Sequence, residues 1–145
     1  MQNVERSVLV GYTASQMYNL VNDVKSYPKF IPYCLTSSVL YESDVEMSAN
    51  LKLCMAGGIR KAFTTHNKLS VDRSIEMSLV DGPFRHLRGG WYFESLSPSQ
   101  CKIDFALKFE FNSRIAQMTL SPLFAQMSLS MLDLFQKRAH EIYGK

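Results

Sequence analysis

Apolar and polar positions alternate in three distinct ways along the chain. From Val4 to Tyr12 the period is two: Val8, Val10 and Tyr12 fall on one side, Ser7 and Leu9 on the other. That is the pattern of a half-buried strand. Thr13-Ala-Ser-Gln16 then reads as a capping box, the Thr hydroxyl and the Gln amide each satisfying a free N–H of the other end. A short helix is expected from there to Asn22-Asp23, with Met17, Leu20 and Val21 inward. Ser26-Tyr-Pro-Lys-Phe30 starts a second helical turn, Pro28 being tolerated early, and Pro32 ends it.

From Tyr33 to Phe111 the period is two throughout. Met47, Ala49, Leu51, Leu53 and Met55 alternate with Ser48, Asn50, Lys52 and Cys54. The last run is the cleanest, Cys101, Ile103, Phe105, Leu107, Phe109 and Phe111 against Lys102, Asp104, Ala106, Lys108 and Glu110. Turn signals at Ser43-Asp44, Gly57-Gly58, Asp72-Arg73, Asp81-Gly82-Pro83 and Ser97-Pro98-Ser99 cut this stretch into six strands. Short turns imply an antiparallel meander with one covered face.

The period changes to three and four after Ser113. Phe124, Met127, Met131, Phe135, Ala139 and Ile142 share one helix face, widened by Leu120 and Leu134. Met118, Met127 and Met131 make the helix rich in methionine, a residue that fills irregular cores and also suits adaptable ligand surfaces. The middle around Met127 and Met131 is expected to face a ligand, and Phe135 to Ile142 to be plain core. Pro122 is expected to kink or break the helix, with the continuous part starting near Ser121. The predicted architecture is α+β: a curved antiparallel sheet of about seven strands wrapped around a long C-terminal helix, with two short helices after the first strand.

At 145 residues the chain is expected to form one domain. Three cysteines, Cys34, Cys54 and Cys101, are odd in number and lack CxxC spacing, which argues against a disulfide framework or a structural zinc site and suggests a reducing, cytoplasmic setting. No signal peptide is visible, and no apolar run approaches the ~20 residues of a membrane span. A net charge of +3 permits an anionic partner without demanding nucleic acid.

Catalytic and metal motifs do not appear. His66, His86 and His140 are isolated, and neither a P-loop nor GxSxG nor GxGxxG occurs. The expectation is therefore a binding protein without a cofactor or metal, not an enzyme. Inward aromatic positions at Phe63, Trp91, Phe93, Phe105 and Phe109 leave two readings open, a filled core or a hollow under the helix. Gly89 and Gly90, beside Trp91, would let the sheet bend or a ligand approach. Basic residues gather at Arg60-Lys61 and at Arg85 with Arg88. They suit either a solvated surface or a docking patch for lipid headgroups or RNA phosphates.

Four segments carry a resemblance over essentially the whole chain: Asp23-Val-Lys-Ser-Tyr-Pro-Lys-Phe-Ile-Pro-Tyr-Cys34, Leu79-Val-Asp-Gly-Pro-Phe84 with Gly90-Trp91, Phe109-Glu-Phe111, and Phe135-Gln-Lys-Arg-Ala139. The chain resembles the coenzyme Q-binding proteins related to polyketide cyclases, a family that in bacteria includes the ribosome association toxins (RatA). The resemblance implies a START-like helix-grip fold. It also implies two functions. One is binding of ubiquinone or a related isoprenoid quinone in an apolar tunnel, as a carrier supporting respiration, at the periphery of the inner membrane. The other is binding to the large ribosomal subunit and blocking its association with the small one. Trp91 matches the family tryptophan of the lipid tunnel. Pro32, Tyr33, Phe63, Phe84, Phe93, Phe109, Phe124, Met127 and Met131 complete the expected lining or mouth, with the segments Ser26–Pro32 and Asp81–Phe84 as gates. Tyr33 stands where many relatives have Trp.

Overall fold

The computed structural model describes residues 1–144. Strand β1 (Gln2–Val10) leads into helix α1 (Ala14–Asn22), a 3-10 turn (Val24–Ser26) and the short helix α2 (Tyr27–Phe30). Six strands follow, β2 (Cys34–Glu42), β3 (Glu46–Met55), β4 (Ile59–Ser70), β5 (Ser74–Asp81), β6 (Phe84–Ser97) and β7 (Gln100–Phe111), and helix α3 (Arg114–Tyr143) closes the chain. The seven strands form one antiparallel sheet in the order β1-β7-β6-β5-β4-β3-β2. Strands β1 and β2 therefore sit at opposite edges, and the two short helices bridge between them.

Local chemistry accounts for the ends of these elements. The capping box forms as the sequence implies: the Gln16 N–H donates to the Thr13 hydroxyl at 3.0 Å and the Thr13 N–H to the Gln16 side-chain oxygen at 2.9 Å. At α3 the Ser113 hydroxyl accepts from the Ala116 N–H at 3.0 Å. Gly89 marks a close approach: a Cβ there would lie 2.1 Å from the Ala106 carbonyl oxygen. Its missing side chain lets the backbones of β6 and β7 approach closely, and any larger residue there would push them apart.

The interior is aromatic, and α3 packs against β1, β7 and α1. Phe84 stacks on Phe111 at 4.6 Å between ring centroids, and Phe109 meets Phe124 at 4.8 Å. A second cluster joins Trp91 to Phe105 at 4.5 Å and to Phe135 at 5.2 Å. Arg6 ties β1 to the helix, donating to both carboxylate oxygens of Asp133 at 2.8 and 2.9 Å and to the Leu129 carbonyl at 3.0 Å.

The helix differs from its sequence pattern in four respects. It runs unbroken from Arg114, with Pro122 inside it. Pro122 deprives the Met118 carbonyl of its donor, and both residues are exposed, so water can take that carbonyl. Met118 is 73% exposed because it lies about 240° round the helix from Phe124. Ile142 is 52% exposed; the last turn is anchored instead by Tyr143, whose hydroxyl donates to the Gln16 carbonyl at 2.9 Å. Ser121, Ser128 and Leu132 are buried where the stripe of large apolar residues did not place them.

Candidate functional site

Between α3 and the inner face of the sheet, with walls from β3 to β7, lies a cavity, and its position follows from the packing just described. The helix rests on β1 and β7 at one side, and the remaining strands curve over it without closing the gap. Met127 and Met131 face the gap from the helix, Phe63 and Trp91 from the sheet, and Tyr27 and Tyr33 from the α2–β2 segment. Counted as the space open to the centre of a water molecule, its volume is about 90 Å³. At 10–15 Å³ per water this admits several waters. It falls well short of the roughly 300–1,000 Å³ of pockets that enclose drug-sized ligands.

Most of the wall is apolar, and the few polar groups have defined roles. Tyr33 donates its hydroxyl to the Met127 carbonyl at 2.7 Å and lies 3.3 Å from the Ser130 hydroxyl. It thereby latches the α2–β2 segment to the helix. Burial pushes its phenol up to about 12, so it stays protonated and donating at neutral pH. Ser128 donates to the Phe124 carbonyl of its own helix at 2.8 Å. On β4, Thr65 donates to the Asn67 side-chain oxygen at 2.9 Å, and both residues are buried. The Asn67 amide nitrogen makes no hydrogen bond among the described residues, but it is not fully enclosed; the enclosed polar side-chain atoms without a partner are Asn22 Oδ1 and Ser121 Oγ. Cys34 also lines the cavity, and burial raises its thiol, which opposes thiolate chemistry. Among the described residues the lining contains no carboxylate, histidine, lysine or arginine.

Of the expected lining residues, Trp91, Tyr33, Phe63, Phe124, Met127 and Met131 come together around this cavity. Four do not reach it. Pro32 is exposed at the surface. Phe84 and Phe109 fill the solid aromatic cluster around Phe124. Phe93 turns toward α1 and meets Tyr18 edge-on at 5.9 Å. Phe93 and Phe109 have the right parity for the inner face and Phe84 is turned to it by the bulge in β6, but the hollow occupies only part of that face. Of the expected gates, Ser26–Pro32 contributes Tyr27 and Ile31 to the wall, and Asp81–Phe84 contributes nothing. Asn67 escaped the sequence reading. Its signal was a polar residue two positions beyond Thr65 and four beyond Phe63, on the inward parity of a strand.

The basic candidates also separate. Arg60 and Lys61 stand at the β3–β4 hairpin, where β4 pairs with β3 alone. Arg85 and Arg88 lie two strands away on β6. Six residues of β4, roughly 20 Å of strand, separate Arg60 from His66, the residue in line with Arg88 through Ser78.

A curved antiparallel sheet gripping a C-terminal helix, with two short helices after the first strand, is the START-like helix-grip fold. An aromatase/cyclase from a Streptomyces species, ZhuI, superimposes with a TM-score of 0.86 over 97% of this chain and 94% of its own, at 18% identity, a likeness of fold alone. The family described as polyketide cyclase / dehydrase and lipid transport matches residues 10–136, and the chain belongs to it. Within that family it is 45% identical over 145 residues, all of both chains, to the ribosome association toxin RatA of Vibrio cholerae. It is 29% identical over 143 residues to the mitochondrial coenzyme Q-binding protein COQ10 homolog B of Xenopus laevis, covering 96% of this chain and 58% of that one. Among the described residues no helix is long and apolar enough to cross a membrane.

Proposed function

We propose that this chain is a binding protein whose partner is the ribosome, and that it acts by keeping the two ribosomal subunits apart. The observation that carries this reading is the end-to-end 45% identity with a protein named as a ribosome association toxin. Two features of the molecule support it. The cavity wall offers no acid–base pair for catalysis. The exposed cations of β6 and β7 offer a surface to an anionic partner. Purified protein added to joined ribosomes should shift them toward free subunits in a sucrose gradient and should itself travel with the large subunit. An unchanged gradient at molar excess of the protein would overturn the reading.

A second reading rests on Asn67. Its unpartnered amide is suited to the carbonyl of an apolar ligand such as a quinone headgroup, with Trp91 and Phe63 as walls. About 90 Å³ does not hold a polyprenyl tail, so this reading requires Met127 and Met131 to swing away. Solvent extraction of protein purified from a quinone-replete host, followed by mass spectrometry, tests it. Recovery of no isoprenoid quinone would end it.

A further inference from the structure

The outer face of the sheet carries a second concavity, away from the gripped helix. Strands β5 and β6 pair only between Ser74↔Tyr92 and Ser78↔Arg88. Beyond that point Leu79 and Asp81 stay with β4, while Phe84 and Leu87 stay with β7, so the two strands part. The opening continues into an open surface depression between β4 and β7. Its charged and titratable lining is His66, Lys68, Arg85, His86, Arg88 and Lys108, with Glu76 as the single carboxylate.

His66 is paired with Glu46 at 2.8 Å across the sheet, but the charge of Arg88 and Lys108 is not there to stabilise it. Arg88 and Lys108 are direct cross-strand neighbours on β6 and β7, and like charges in that position oppose each other. Neither has a carboxylate within salt-bridge distance among the described residues, whereas Arg85 is held by Glu110 at 2.7 Å. The register of β6 also slips between Phe84 and His86. Phe84 and Leu87 are both buried, so the bulge leaves Arg85 and His86 together on the exposed side, where strict alternation would turn one of them inward. At the far end Tyr92, 39% exposed, lies over Gly90, where a Cβ would come 2.8 Å from its hydroxyl oxygen. The phenol therefore lies along the sheet surface at the edge of the groove.

We propose that this groove is the ribosome-facing surface and that it takes the phosphodiester backbone of RNA, Arg88 and Lys108 holding phosphates and Tyr92 offering a face for stacking. The proposal rests on the ribosome reading given above and names the chemistry recognised. A concave cationic cleft receives a ridge of phosphates, whereas a bilayer presents a flat surface to a flat or convex one. Phosphate contacts of this kind position a protein without reading sequence.

The test uses a fluorescein-labelled RNA hairpin of unrelated sequence, followed by anisotropy across a salt series, alongside sedimentation with purified large subunits. The intact protein should bind the hairpin with log K falling by about 2 to 3 per decade of salt, as expected for about three phosphates. Arg88→Glu with Lys108→Glu should weaken binding at least about tenfold, flatten the slope by about 2 and abolish sedimentation. Arg60→Glu with Lys61→Glu, at the distant hairpin, should leave both unchanged. If the reversal variant unfolds, Arg88→Gln with Lys108→Gln replaces it and should weaken binding in the same direction. Hairpin binding unaffected by either β6–β7 pair overturns the proposal, as does binding to phosphatidylglycerol vesicles but not to RNA. If the intact protein sediments with large subunits and the reversal variant does so equally, the groove is wrong and the ribosome reading stands. If the intact protein fails to sediment at all, the ribosome reading falls.

Discussion

The two sides of the gripped helix are built from the same kinds of residue and reach opposite results. Phe84, Phe109 and Phe111 interlock with Phe124 in a solid cluster. Phe63, Trp91, Met127 and Met131 surround a hollow, which Phe124 borders as well. Aromatic content alone does not decide between them. What differs is the distance of the strands from the helix, together with two polar side chains, Thr65 and Asn67, that occupy inward positions in the hollow half. A hollow in a START-like grip is thus a consequence of where the helix rests, and its small volume here leaves the outer surface as the more developed feature.

The contrast is sharpest at Phe135, which is fully buried between Trp91, Tyr27 and Phe30. Phe135→Ala should cost about 3–5 kcal/mol in urea unfolding, because the packed surroundings cannot collapse into the space. A loss under about 1 kcal/mol would mean that the hollow beside Trp91 and Tyr27 lets these surroundings relax. Asn67→Leu should cost about 1–3 kcal/mol by stranding the Thr65 hydroxyl. Thr65→Val combined with Asn67→Leu should be close to neutral, since both partners leave together. Additive losses in that cycle would show that the pair does not act as a unit.

Met131→Ala should cost only about 1 kcal/mol, well under the 2–5 of a fully buried methionine, because the side chain already faces open space. The same variant should bind an environment-sensitive apolar dye more strongly than the intact protein, and an unchanged dye signal would argue that the cavity is closed to solutes. The smallest effect is expected at the Arg6–Asp133 clamp. Hydrogen bonding to Arg6 holds the Asp133 carboxyl below its ordinary value, so its contribution is present above the unfolded value and fades as pH falls through the folded one. With Asp133 largely exposed, that contribution is at most about 1 kcal/mol. Arg6→Met should remove it and flatten the fall in urea midpoint between about pH 5 and pH 2; an equally steep fall would assign the acid sensitivity to other carboxylates.

Much of this fold is legible in the order of residues. The alternation at Cys101–Phe111 predicts β7 almost to the residue, and Thr13 with Gln16 marks the start of α1 because capping depends only on neighbours. The meander from β2 to β7 is equally readable, since short turns such as Gly57-Gly58 leave antiparallel pairing as the only option, whereas the pairing of β1 with β7 is not, because no short turn joins them. Of the kink or break expected at Pro122, the break does not occur, for a physical reason: a proline in a helix is costlier when the carbonyl it strands is buried, and exposure is a tertiary property.

The candidate site was legible only by parity. Parity identifies Phe63, Phe93, Phe109 and Trp91 as inward, and all four are buried; Phe84 is buried too, but only because the β6 bulge reverses its parity. It does not say that Phe84 and Phe109 fill space, that Phe93 serves α1, or that Phe63 and Trp91 border a void. Likewise, charge in the sequence groups Arg85 with Arg88, but only cross-strand register brings Lys108 beside Arg88 and opens the groove between β5 and β6. The sequence by itself determined the elements, their order and the face each residue presents, because those follow from periods of 2 and 3.6 and from turn chemistry. Only the tertiary structure decided where the helix leaves the sheet uncovered and which distant cations become neighbours, because both depend on the curvature of seven strands acting together.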